Sequence, residues 1–342
     1  MRIAIMTDSY LPTRDGVVTA VITMRKALED LGHTVFVIAP DPGEKHREEG
    51  VIYFRSTTFR KYPEYYLPIF PSNKREIIES LDVDVIHIYG VAFMALKALF
   101  VSRATGIPTV MTYVTNVVDA MKYYSPLKLP MEMQSKLAWI YIRNFMKRPR
   151  CIIALTPETL KEFETNKVVT RRTEVIPIGI DLKNFREGLD GSAIRRRYGL
   201  EGNRVVIHVG RVSYEKNIPQ VIDAIRFLPD NVKLMVVGKG PAIEDVKRHT
   251  VEIGLSDRVI FTGFVSDAEL PYHYAAADLV VSASRFETQG LTIVEAMACG
   301  TPVLAFGEGS VAEVIDDGAT GMVVNSVAEA VAAYPELIAL DR

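Results

Sequence analysis

The sequence predicts an α/β protein made of two doubly wound, Rossmann-like domains that face each other across a cleft. Three observations carry this. The chain has 342 residues, more than one ordinary core takes and enough for two domains. Short apolar runs alternate with amphipathic runs at helical spacing from end to end, the pattern of a parallel sheet covered by helices. A stretch broken by proline and glycine, Val175-Ile-Pro-Ile-Gly-Ile-Asp181, falls near the middle.

The first series opens with Arg2–Met6 as a strand. Val17–Leu31 follows as a helix, with Val21, Met24, Leu28 and Leu31 on one face and Gly32 as its stop. Thr34–Ala39, Val83–Ile88, Thr109–Thr112 and Cys151–Ala154 read as further strands. Thr156 is placed to cap a helix whose first residue is Pro157. The second series runs through Val205–Val209, Lys233–Val237, Val259–Phe261, Leu279–Ser282, Val303–Ala305 and Met322–Val324. Ser266-Asp-Ala-Glu269 has the form of a capping box before one of its helices. The domains are expected to span 1–177 and 178–342, with the hinge inside 177–200.

Composition excludes several classes. The chain is 48% hydrophobic and 24% charged, with a net charge of −2, so nucleic acid is not an expected partner. Its first half carries an excess of Lys and Arg, and its second half an excess of Asp and Glu. Cys151 and Cys299 sit in apolar runs without metal-ligand spacing, as in a reduced, disulfide-free cytoplasmic protein. No apolar run reaches the length of a signal peptide or a membrane span.

The chemistry concentrates in Ser282-Ala-Ser-Arg-Phe-Glu-Thr-Gln-Gly-Leu-Thr-Ile-Val-Glu-Ala-Met-Ala-Cys-Gly-Thr-Pro-Val303. A strand ends near Ser282, a loop carries Glu287, Thr288, Gln289 and Gly290, and a helix follows to about Cys299. The free amides at its start suit a diphosphate. Glu287 and Glu295 are placed to grip hydroxyl pairs, or stand as a solvated pair at a helix start. Gly238-Lys-Gly-Pro-Ala242 follows a strand, but Ile243 takes the third glycine position of a dinucleotide fingerprint, so it reads as a tight strand-to-helix turn. Asp82-Val-Asp84 is a formal D-x-D, which merely precedes a strand here.

The Glu287–Glu295 segment resembles the E-x7-E motif of retaining glycosyltransferases of family 4, which have the GT-B fold. Glu287-Thr-Gln-Gly-Leu is similar to the wording in diacylglycerol glucosyltransferases and related lipid glycosyltransferases. Val209-Gly-Arg211 with Glu215-Lys216, Val237-Gly-Lys-Gly-Pro241, Gly263-Phe-Val265, Ile176–Asp181, Glu313–Gly321, Asp84-Val-Ile-His87 and the Pro12–Val17 loop fit the same family. The resemblance implies that Arg211 and Lys216 neutralise the diphosphate of a nucleotide-sugar donor. It implies that Glu287 holds the sugar, Glu295 the ribose, the amides of Gln289, Gly290 and Leu291 the sugar and phosphate, and the backbone at Val265 the base. Gly16 would let the N-terminal loop close over the diphosphate. Attack from the front side, with a phosphate oxygen taking the acceptor proton, and no metal or other cofactor are implied as well.

One departure stands out. Thr112-Tyr-Val-Thr-Asn116 resembles a Thr-Tyr-His-Thr stretch in which the histidine faces the transferred sugar, and Val114 here cannot donate a hydrogen bond. Val114, Asn116 and Tyr123 are the expected acceptor-side residues. The basic, aromatic run Met131–Lys147 reads either as a helix packed on its own domain or as a contact with an anionic bilayer. The expected activity is transfer of a hexose from UDP-glucose or GDP-mannose to an acceptor such as a membrane lipid, at the cytoplasmic face. A soluble sugar acceptor and a weakened sugar-nucleotide binder are the alternatives.

Overall fold

The computed structural model describes residues 1–59, 62–69, 75–116, 118, 121, 130–285, 287–307 and 309–340. The chain forms two compact units, Met1–Gly179 and Ile180–Arg342.

The first unit contains β1 (Arg2–Thr7), α1 (Gly16–Asp30), β2 (Thr34–Pro40), β3 (Val51–Phe54), β4 (Ser56–Phe59), β5 (Tyr62–Pro68) and α2 (Arg75–Ser80). Then come β6 (Val85–Tyr89), α3 (Phe93–Thr105), β7 (Thr109–Thr112), α4 (Met131–Met146), β8 (Cys151–Ala154), α5 (Pro157–Thr165) and β9 (Thr173–Val175). Seven strands form a sheet in the order β3-β2-β1-β6-β7-β8-β9, and β4 and β5 pair as a separate antiparallel ribbon. Pairing in the large sheet is parallel throughout. One face packs Ala4, Met6, Ile86, Ile88 and Met111 against Ile78 of α2, Met94 of α3, Ile142 of α4 and Phe163 of α5.

The second unit contains α6 (Ser192–Arg197), β10 (Arg204–Val209), α7 (Ile218–Ile225), β11 (Val232–Val237), α8 (Ile243–Glu252), β12 (Val259–Gly263) and α9 (Leu270–Ala276). β13 (Leu279–Ser282), α10 (Leu291–Ala298), β14 (Val303–Phe306), β15 (Gly321–Val324) and α11 (Val327–Leu337) complete it. Its six strands run parallel in the order β12-β11-β10-β13-β14-β15. Alternate residues bury on opposite faces. Val206, Leu234 and Val236 join α7, α8 and α11 in one core, while Val205, Ile207, Met235 and Val237 join α6, α9 and α10 in another. Strand order reverses between β10 and β13, and at such a point the loops part and leave room for a ligand.

Three local expectations change. Leu31 lies past the end of α1 and is 73% exposed, so the buried stripe is Val18, Ala20 and Val21. Thr156 occupies the cap position of α5, but its hydroxyl meets the Thr159 hydroxyl instead of a helix amide. Only half of the Ser266 capping box forms: the Glu269 amide donates to Ser266 Oγ, whereas the Glu269 carboxylate pairs with Arg197 and α9 starts at Leu270. The β4–β5 ribbon, β3 and β9 are additions that sequence patterning did not reveal.

Candidate functional site

Glu215, Lys216 and Glu287 come together where the strand order of the second unit reverses, between the loops after β10 and β13. Val209 ends β10, and Gly210 to Lys216 cross the sheet edge beside β11. The Gly210 and Val212 amides donate to the carbonyls of Val237 and Lys239, both at 3.0 Å. This crossing explains Gly238. A Cβ there would lie 1.9 Å from the Gly210 carbonyl oxygen, at a φ of 140° that L side chains avoid. The glycine-rich turn is therefore a backbone-to-backbone contact, which agrees with its reading as a tight turn.

That contact fixes Arg211, which is half-buried, and sets up a short helical turn at Tyr214–Lys216. Glu215 is buried inside the turn. Ser213 Oγ donates to its carboxylate, and its own carbonyl accepts the Arg285 amide at 2.9 Å. Glu215 thereby ties the loop after β10 to the loop after β13. The consequence is the pairing of Lys216 Nζ with Glu287 Oε1 at 2.5 Å, with side chains 23% and 18% exposed. Sequence reading gave these residues separate tasks, one for phosphate and one for sugar. The structure joins them as one ion pair that a ligand can reach.

Gly290 stands at φ 77° and ends the loop, and α10 begins at Leu291. Gln289 is buried, Thr288 and Leu291 are half-buried, and the first amides of α10 follow directly. Glu295 lies a turn further along and is only 6% exposed. Its Oε2 accepts a hydrogen bond from the Tyr274 hydroxyl at 2.8 Å. Burial pushes its carboxyl up to about 7, against the lowering effect of that bond. Val265 is half-buried after β12 and packs on the α9–α10 core, next to exposed Phe264.

Sequence reading missed His208. It is buried in β10, where Nδ1 lies 3.2 Å from the Val281 carbonyl. Desolvation, and then the charge of Lys216, lowers it to about 4, so the ring is neutral near pH 7. Its histidine identity in an apolar strand was the one available signal. Tyr274 had none, because its partner lies 21 residues away.

At the carboxyl edge of the first sheet the groups are of another kind. Gly16 starts α1, is exposed, and a Cβ there would meet nothing within 4 Å. Asp15 caps this helix through the Val18 amide at 2.9 Å. Asp8 accepts the amides of Ala92 and Met94 at the start of α3, and burial raises its carboxyl to about 6. His87 Nε2 meets Thr112 Oγ1 at 2.7 Å, and burial lowers the ring to about 4. Val114 is buried just beyond β7, and Asn116 donates to Glu162 of α5 at 3.0 Å. Tyr123 lies outside the described residues. Asp84 accepts the Arg2 amide at the amino ends of the strands, opposite their carboxyl edge. Among the described residues, no group of three or more His, Cys, Asp and Glu side chains is placed to share a metal ion.

Helix α4 buries Gln134, Ala138, Ile142, Phe145 and Met146, with Trp139 half-buried against the same core. Outward it shows Met133, Leu137 and Ile140, each about half exposed, among Lys136, Lys147 and Arg148. Beside it, Leu96, Leu99 and Phe100 of α3 with Tyr141, Phe145 and Arg148 line a shallow apolar groove of about 160 Å³.

Comparison with known proteins identifies the family. Residues 191–341 match the family described as Glycosyl transferases group 1, and residues 14–184 match Glycosyltransferase Family 4. The alpha-monoglucosyldiacylglycerol synthase of Streptococcus pneumoniae is 30% identical, over 98% of this chain and 80% of its own. A GDP-mannose-dependent alpha-mannosyltransferase of Mycolicibacterium smegmatis is 28% identical, over 95% of this chain and 84% of its own. The fold matches that of Anabaena HepE, solved with UDP and glucose, at a TM-score of 0.76 and 22% identity over 99% of this chain and 92% of that one. With both units matched in turn and a relative at 30% identity along almost its whole length, the chain belongs to the family 4 glycosyltransferases, which act with retention.

Proposed function

We propose that this hexosyltransferase takes its sugar from UDP-glucose or GDP-mannose and delivers it to a hydroxyl of a membrane lipid, diacylglycerol or a phospholipid being the acceptors in view. The observation that carries the reading is the Lys216–Glu287 pair, reachable from solvent and standing at the mouth of α10. Without donor the two charges satisfy each other. When a donor enters, sugar hydroxyls donate to Glu287, and the Lys216 ammonium turns to the diphosphate with Arg211. The amides of Gln289, Gly290 and Leu291 take the remaining phosphate and sugar oxygens. The base lies against the backbone at Val265 and the ribose against Glu295. Gly16 leaves open space for close approach of a phosphate.

As the anomeric carbon–oxygen bond to the diphosphate breaks, negative charge grows on the leaving group, and fixed cations are worth most at that moment. The acceptor oxygen bonds to the same face of the sugar, and its proton passes to the departing phosphate oxygen. Arg211 and Lys216 supply the countercharge, so transfer should persist in a chelator. We assign acceptor binding to residues 1–177 and donor binding to 178–342, with Val114 and Asn116 on the acceptor side. The outward apolar stripe of α4, ringed by cations, supports peripheral contact with an anionic bilayer at the cytoplasmic face. The names of the relatives support a lipid acceptor.

The test is incubation with each nucleotide sugar and anionic vesicles containing diacylglycerol, followed by mass analysis of the lipid. A lipid heavier by one hexose is the expected result, with EDTA having no effect. Transfer only to soluble sugars would overturn the lipid reading, and Leu137→Asp with Ile140→Asp should reduce vesicle binding while the fold stays intact.

A further inference from the structure

We infer that Tyr274 is a positioning residue of the donor site, holding the Glu295 carboxylate through one oxygen so that the group is oriented to accept hydroxyls of the nucleotide ribose. This rests on the donor reading above. Tyr274 is fully buried in α9, and its hydroxyl reaches Glu295 Oε2 across the α9–α10 contact at 2.8 Å. The residue is held through its main chain and through its ring. Thr301 Oγ1 donates to its carbonyl at 2.9 Å, and Phe185 meets its ring edge-on at 6.1 Å between centroids. A buried carboxylate without a donor is costly, and this hydroxyl is the donor that the fold supplies.

The arrangement has a consequence for proton binding. Burial and the nearby Asp267 carboxylate both favour protonated Glu295, while Tyr274 favours the ionised form. Tyr274 itself stays a neutral donor, because burial and the Glu295 charge raise its phenol further. Ribose hydroxyls donate best to the ionised carboxylate. With the group titrating at about 7, the binding-competent fraction grows from pH 6 to pH 8. Donor affinity should then rise about tenfold over that range. The Tyr274→Phe protein keeps the ring packing and loses only the hydroxyl. It should bind about fivefold to tenfold more weakly at pH 7, with the midpoint moved to higher pH.

The experiment is calorimetric titration of UDP-glucose and GDP-mannose at steps between pH 6 and 8. Their pyrophosphate diesters have no group that titrates there, unlike free nucleoside diphosphates. Wild type, Tyr274→Phe and Glu295→Gln are compared, each checked by thermal melting. The expected result is a pH-dependent affinity in wild type, a midpoint raised in Tyr274→Phe, and a flat, weak profile in Glu295→Gln. A flat profile in wild type overturns the inference, as does a Tyr274→Phe loss equal at every pH. If Tyr274→Phe fails to fold, the wild-type and Glu295→Gln profiles still decide the matter. Absence of binding by wild type to both donors would instead sink the donor reading itself.

Discussion

The two sheets end in edges built on different principles. In the second unit the edge presents charge that is paired and partly exposed: Lys216 with Glu287, with half-buried Arg211 earlier on the same loop. In the first unit the comparable groups are turned inward. Asp8 is spent on the α3 amides, His87 on Thr112, and Val114 is apolar and buried. The contrast fits the proposed division of labour, in which the second unit meets a diphosphate that needs fixed countercharge and the first meets a lipid hydroxyl that needs an apolar approach. The glycines differ in the same way. Gly238 is demanded by its own fold, while among the described residues nothing lies within 4 Å of a Cβ at Gly16.

The largest effect that would break this comparison is on turnover. Lys216→Ala should lower kcat by about a hundredfold to a thousandfold, the range for removing a fixed stabiliser of developing charge. Steady-state transfer measures it, and a loss under threefold would remove Lys216 and its pair from the chemistry. Next comes the glycine contrast. Gly238→Ala should cost roughly 3 kcal/mol or more, because its Cβ overlaps a carbonyl and its φ is strained. Gly16→Ala should leave stability within about 0.5 kcal/mol while slowing transfer. Thermal melts and kinetics on both variants separate the two roles.

A smaller effect concerns Asp8. Its carboxyl is raised from 3.8 to about 6 by burial. A group raised in the folded state contributes stability that is complete below pH 3.8 and is lost as pH rises through 6. The total available is about 3 kcal/mol. Asp8→Asn should flatten this part of the profile in denaturant titrations between pH 4 and 8. An unchanged slope would show that Asp8 is solvated.

Much of the candidate site was legible because its chemistry is local. Arg211 to Lys216 and Glu287 to Glu295 are contiguous stretches that each follow a recognisable strand, and short continuous runs of Val, Ile and Leu announce buried parallel strands without help from the partner strand. Caps were harder. Thr156 takes the cap position, yet its hydroxyl meets Thr159 and not a helix amide, and Arg197 draws the Glu269 carboxylate away from the Ser266 box. The β4–β5 ribbon, with Ser56-Thr-Thr58 in its first strand, has no apolar alternation to betray it.

The sequence by itself determined five of the seven strands of the first sheet and all six of the second, and, through family resemblance, which residues are proposed to meet a nucleotide sugar. Tertiary structure alone decided who pairs with whom. Lys216 finds Glu287 across 71 residues, Tyr274 finds Glu295 across 21, and Gly238 is pressed against Gly210. The physical reason is that hydrogen bonds and desolvation depend on distances between strands and helices, which a linear pattern of residue types does not contain.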